Sequence, residues 1–146
     1  MPERATGPRF EILEHTADIG LRAWGRTREE LFQNAARGLA GITGRAAHDE
    51  AARQQPRSIE VALDASDVGA LLVAWLDELL FAMERDDACM SNVRVDQVSD
   101  ASMRARVELD SCGDPPDGTE LKAATYHQLT VRETPVGWEA TVFFDV

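Results

Sequence analysis

The chain has 146 residues, 44% of them hydrophobic and 28% charged, a length and balance that fit one globular domain and exclude wholesale disorder. Acidic residues outnumber basic ones 26 to 15, for a formal charge of -11; so acidic a surface repels RNA and DNA at long range, and no strong direct nucleic-acid binding is expected. No apolar run approaches the roughly 18 residues of a membrane span, and Met1–Pro8 lacks the apolar stretch of a signal peptide, so the expectation is a cytoplasmic protein without a membrane partner.

Residues 1–8 read as a frayed tail, with one domain over 9–146. Arg9–Leu13 is a short strand candidate, interrupted by the polar stretch Glu14-His15-Thr16-Ala17-Asp18. Ile19–Gly25 alternates apolar with small or polar residues, as a half-buried strand does. Thr27-Arg28-Glu29-Glu30 is a capping box. Leu31, Phe32, Ala35, Ala36, Leu39 and Ala40 follow at helical spacing, with Gly41 and Gly44 as stop signals. Residues 45–56 read as a loop. Ser58–Asp64 alternates again and predicts a strand.

Ser66 or Asp67 caps a second helix. Its stripe is Leu71, Leu72, Trp75, Leu76, Leu79, Leu80 and Met83, with Asp77, Glu78 and Glu84 facing away. Trp75 and Met83 are core residues on this pattern. Ser91–Val98 and Met103–Leu109 predict a hairpin. Asp110–Glu120 is dense in Gly, Pro and Asp and reads as loop. Tyr126–Arg132 and Trp138–Phe144 predict a last hairpin turning at Thr134–Gly137.

The resulting order is β-β-α-β-α-β-β-β-β. Local hairpins make the sheet mainly antiparallel, with the two amphipathic helices on one face: an α+β two-layer domain. The order permits a strand–helix–two-strand unit used twice, although no sequence repeat is visible.

Standard catalytic motifs are absent. There is no GxxxxGK[ST] loop, no GxGxxG fingerprint, no GxSxG elbow and no HExxH. His15, His48 and His127 are far apart in sequence. Cys89 and Cys112 fit no zinc spacing, and as two lone thiols they suit a reducing compartment.

Three places invite closer reading. The polar break His15–Asp18 is either a turn satisfying its own backbone or a functional loop. The C-terminal run continues apolar alternation to Val146, which would turn Asp145 and the terminal carboxylate into neighbouring, positioned anions. Neighbouring carboxylates repel unless compensated, and a hard cation is the usual compensation; a solvated terminus without metal is the plain alternative. Lys122 and His127 flank the start of the penultimate strand, as surface groups or as a means of orienting such a cluster.

Taken together, three stretches resemble the archease family. The first is Glu14-His15-Thr16-Ala17-Asp18-Ile19-Gly20 with the helix Leu31-Phe32-x-Asn34-Ala35-Ala36-x-Gly38-Leu39. The second is Trp75-Leu76-x-Glu78-Leu79-Leu80-Phe81. The third is Leu121–His127 with the ending Gly137-Trp138-Glu139-Ala140 to Phe144-Asp145-Val146. They span nearly the whole chain.

The resemblance implies an accessory protein rather than an enzyme. Its partner would be an RtcB-type RNA ligase, which joins ends carrying a cyclic phosphate or 3′-phosphate to a 5′-hydroxyl with GTP and manganese. The accessory protein would promote guanylylation of the ligase and its repeated turnover, in tRNA splicing and RNA repair. A divalent-cation site is implied at Asp18, Asp145 and the carboxylate of Val146, with Ca²⁺ expected and Mg²⁺ or Mn²⁺ as alternatives. Lys122 is implied in ligase activation, and His15 and His127 match the motif. The loop Gly113–Thr119 departs from the family pattern in being short and acidic. The acidic surface suits docking on a basic enzyme and permits a monomer. Two other readings remain: a general chaperone or modulator of nucleic-acid-modifying proteins, and a stand-alone metal-dependent phosphate hydrolase.

Overall fold

The computed structural model describes residues 9–14, 18–47 and 56–146. The tail expected over 1–8, residues 15–17 with His15, and His48 with most of the expected loop lie outside the described residues.

In chain order the described elements are β1 (Phe10–Glu14), β2 (Asp18–Gly25), α1 (Arg28–Thr43), β3 (Arg57–Asp64), α2 (Val68–Arg85), β4 (Ala88–Val98), β5 (Ser102–Ser111), β6 (Ala123–Ala124), β7 (Thr130–Thr134) and β8 (Gly137–Asp145). Helix α1 starts where the capping box predicts. The Thr27 hydroxyl accepts from Glu30 N at 3.1 Å, and Glu30 Oε1 accepts from Arg26 N at 2.8 Å. The helix runs through Gly41 and stops at Gly44, which sits in the left-handed region at φ 70°. Asp67 rather than Ser66 caps α2, accepting from Ala70 N at 2.8 Å. Trp75 is fully buried, and its indole N–H donates to Phe32 O at 2.9 Å, so the ring fills the core without stranding its polar atom.

The strands form two sheets where one was expected. One has the order β1-β2-β8-β6, with β7 also on β8; the other is β3-β5-β4. Every strand pairing is antiparallel. The strand β3, helix α2 and hairpin β4–β5 make one strand–helix–two-strand unit, whereas β2, which leads into α1, takes β8 from the far end of the chain as its partner. Both helices touch both sheets: α1 lies against β1, β2, β8 and β4, and α2 against β3 to β7. The buried core runs continuously between them.

Three expectations are corrected. The strand predicted over Tyr126–Arg132 begins only at Thr130: β6, at Ala123–Ala124, and β7 share one edge of β8, and Tyr126–Gln128 between them are exposed and outside any strand. The cause is local. The Thr125 hydroxyl accepts from His127 N at 3.2 Å, Leu129 N donates to Tyr126 O at 3.2 Å, and Gln128 takes a positive φ of 54°. Side-chain hydrogen bonds of this type compete with a ladder. Asp77 does not face away: it is half-buried and accepts from Ala124 N at 2.7 Å. Cys89 and Cys112 are not lone thiols. Their sulfurs are bonded, with Cα atoms 4.9 Å apart, because the β4–β5 register sets Cys89 opposite Asp110, two residues before Cys112.

Candidate functional site

The register of β2 on β8 puts Asp18 directly opposite Asp145. On the other edge of β8, Ala123 lies opposite Asp145, and Lys122 N donates to Asp145 O at 2.9 Å. The main chain at Asp145 is thus held from both sides, one residue before Val146. Directly opposed residues share a face, with Cβ atoms about 4.5–5.5 Å apart. Two carboxylates at such range repel by ~1 kcal/mol in bulk water and ~4 kcal/mol at an effective dielectric near 20. Among the described residues neither Asp18 nor Asp145 has an ion-pair partner. Asp145 and Val146 are exposed and Asp18 is half-buried, so the pair is open to solvent and to a partner.

The same face continues one pair inward. Gly20 lies opposite Phe143. A Cβ on Gly20 would come 2.7 Å from the Phe143 ring, so only glycine lets that ring lie across β2. The His127 ring meets Phe143 edge-on, with centroids 6.5 Å apart. Thr125 N and its hydroxyl both donate to Phe143 O at 2.9 Å. Residues 122–127 are therefore stitched along the end of β8.

Behind this row stands Asp77 of α2. β6 is an edge strand, and the N–H of Ala124 would otherwise want for a partner. The Asp77 carboxylate supplies it. Burial pushes the Asp77 carboxyl above its ordinary value, and the hydrogen bond from Ala124 N draws it partly back.

Asp18, Asp145, Val146, Lys122 and His127 thus lie towards one end of β8; His15 lies outside the described residues. Sequence reasoning missed Gly20, Phe143, Thr125 and Asp77 as supports. The first two could be found only once the β2–β8 register was known. Among the described residues no group of three or more His, Cys, Asp or Glu side chains could hold a metal ion. Asp18 and Asp145 offer only oxygen donors, the kind that Ca²⁺, Mg²⁺ and Mn²⁺ take. The donor type fits a hard cation, and the terminal carboxylate of Val146 would be needed to complete the set.

Comparison with known proteins covers this whole arrangement. The model of the Archease protein family (MTH1598/TM1083) matches residues 10–146. The protein archease of Methanosarcina barkeri is 36% identical over 149 residues, covering 96% of this chain and 97% of its own. The protein archease of Thermococcus gammatolerans is 34% identical, covering 90% and 94%. The solution structure of Methanobacterium thermoautotrophicum protein 1598 superposes with a TM-score of 0.68 at 26% identity, over 96% of this chain and all of that one. The crystal structure of a Thermotoga maritima archease, described as a possible chaperone, has a TM-score of 0.66 at 20% identity, covering 99% and 100%; at that identity it shows the fold alone.

Proposed function

The chain belongs to the archease family, and from that premise we propose that it is an accessory protein of an RtcB-type RNA ligase. In this reading it promotes ligase guanylylation and repeated turnover, in the cytoplasm, during tRNA splicing and RNA repair. One observation carries the proposal: Asp18 and Asp145 oppose each other, and among the described residues neither carboxylate has an ion-pair partner.

A divalent cation bound there would supply the positive charge that the pair lacks; Asp18, Asp145 and the Val146 carboxylate would hold it, with Ca²⁺ the ion proposed and Mg²⁺ or Mn²⁺ the alternatives. The protein's own groups do the rest. Lys122 N fixes the main chain of Asp145, while its exposed side chain can reach a partner's phosphate or carboxylate as a point charge. Phe143 and His127 build the adjoining floor. A net charge of -11 steers this end towards a basic enzyme rather than towards RNA itself.

The test mixes the chain with its cognate ligase, GTP and Mn²⁺, and follows ligase guanylylation and multiple-turnover joining. Stimulation is expected, and Asp18→Asn or Asp145→Asn should reduce it by about tenfold or more while circular dichroism stays unchanged. Absence of stimulation by the unaltered chain overturns the proposal. A general chaperone is the second reading, favoured by the exposed Tyr126 and Val136. Suppression of aggregation of an unrelated client, undiminished in Asp18→Asn, would point to it.

A further inference from the structure

The disulfide belongs to the three-stranded sheet and its edge, not to the sheet that carries the carboxylate pair, and plays no part in the function proposed above. It joins Cys89, near the start of β4, to Cys112, just beyond β5. The two sulfurs sit in unlike surroundings. Cys89 is 2% exposed and stands opposite Asp110, itself 2% exposed. Cys112 is partly exposed, and Arg45 Nη1 lies 4.0 Å from its sulfur. The same guanidinium also bonds Ala88 O at 3.0 Å and Asp87 at 3.4 Å, which fixes it in place beside Cys112. A neighbouring guanidinium and solvent access favour a thiolate; burial favours the protonated thiol.

We propose that Cys112 and Cys89 form a reversible redox couple, Cys112 being the reacting thiolate and Cys89 the resolving thiol. In the oxidising direction the Cys112 thiolate attacks a hydroperoxide. The O–O bond breaks, Cys112 becomes a sulfenic acid, and the leaving alkoxide or hydroxide takes a proton to give alcohol or water. The Cys89 sulfur then attacks Cys112, its proton leaves with the hydroxyl as water, and the disulfide forms. In the reducing direction a dithiol surrenders two electrons and two protons, returning both cysteines to thiols as it becomes a disulfide itself.

The bond moors one end of the acidic strap 113–117. The other end is moored separately. Thr119 N donates to Ile42 O at 2.8 Å, Leu121 is buried, and a Cβ on Gly118 would come 2.3 Å from Ile42 O. Reduction therefore releases the strap at its Gly113–Asp114 end, while Asp117 stays packed on Gly44 and the Lys122–Asp145 link stays in place. The strap also walls a cavity of ≈ 320 Å³ beside Gly41, Gly44 and both cysteines.

The full chain, treated with dithiothreitol under native conditions and pulsed with iodoacetamide at neutral pH, tests this by peptide mass spectrometry. Cys112 should be alkylated about tenfold faster than Cys89. Hydrogen peroxide should restore the intramolecular bond without covalent dimers. Dimedone should label Cys112 in Cys89→Ser, and Arg45→Gln should slow alkylation of Cys112 alone. A bond that yields to dithiothreitol only in denaturant, or alkylation as fast at Cys89 as at Cys112, overturns the proposal; the alkylation ratio needs no variant to fold.

Discussion

The two sheets treat like charges differently. In the three-stranded sheet Arg94 stands directly opposite Arg106, yet each arginine has its own carboxylate: Asp96 at 3.2 Å from Arg94 and Glu60 at 3.6 Å from Arg106. The five-stranded sheet balances itself in the same way along most of its length, as Arg22 with Glu11 and Arg132 with Glu139. At one end it does not. Asp18 opposes Asp145 with no ion pair to either among the described residues, and the ladder beside them shrinks to the two residues of β6. The opposed charges paired elsewhere and the one like-charged pair left without a counter-ion are the contrast on which the proposed cation site rests.

That contrast can be broken by disturbing the supports of the bare end. The largest effect is expected at Gly20. Gly20→Val would drive a side chain into the Phe143 ring, 2.7 Å from where its Cβ must stand, and should cost about 1–3 kcal/mol. Denaturant titration measures it, and Phe143→Leu in the same chain should recover part of the loss as a coupling energy. An unperturbed Gly20→Val would mean that Phe143 does not lie across β2.

Next comes Asp77. Asp77→Ala leaves the Ala124 N–H without its acceptor and should lose about 1 kcal/mol, loosening β6 beside Asp145. Asp77→Asn keeps an acceptor oxygen. Because burial raises the Asp77 carboxyl in the folded state, its protonated form is favoured there. That contribution is complete below the ordinary value of 3.8 and is lost as pH rises through the raised folded value. Asp77→Asn escapes the loss. Its stability relative to the unaltered chain should be highest at neutral pH and should shrink on acidification, as unfolding curves over a pH series will record. A gap that widens towards acid contradicts the burial argument.

How much of this was legible beforehand depended on the range of the interactions. The helices were, because their caps and stripes are local: Thr27, Glu30 and Asp67 cap as their spacing predicts. The apolar alternation of the C-terminal run was local too, and the fold keeps Ala140, Val142 and Phe144 in the core, with Phe143 buried on the other face. What could not be read was register and partner choice. Nothing local says that β8 will insert beside β2, that the strands will divide into two sheets, or that Thr125 will turn the chain out of a strand-like run. The Asp77–Ala124 bond spans 47 residues, and the Cys89–Cys112 bond 23. Both are consequences of packing, and a helical wheel places Asp77 with the solvent-facing acids.

The smallest effects sharpen the comparison most, because their sign decides it. Asp145→Asn removes one of two opposed carboxylates. In chelator-treated protein it should raise stability by about 0.2–1 kcal/mol. Added Ca²⁺ should raise the melting temperature of the unaltered chain, by the linkage of binding to folding, and leave that of Asp145→Asn unmoved. Glu60→Gln is the counterpart in the other sheet, where the side chains of Arg106 and Glu60 are 55% and 81% exposed. Solvent and salt screen such a pair, so the change should be a loss below about 0.5 kcal/mol that vanishes at high ionic strength. Opposite signs for the two substitutions mark Asp18 and Asp145 as a pair held against its own repulsion. A loss in both, with no response to Ca²⁺, would make the two ends of the molecule electrostatically alike and remove the reason for assigning a cation to this one.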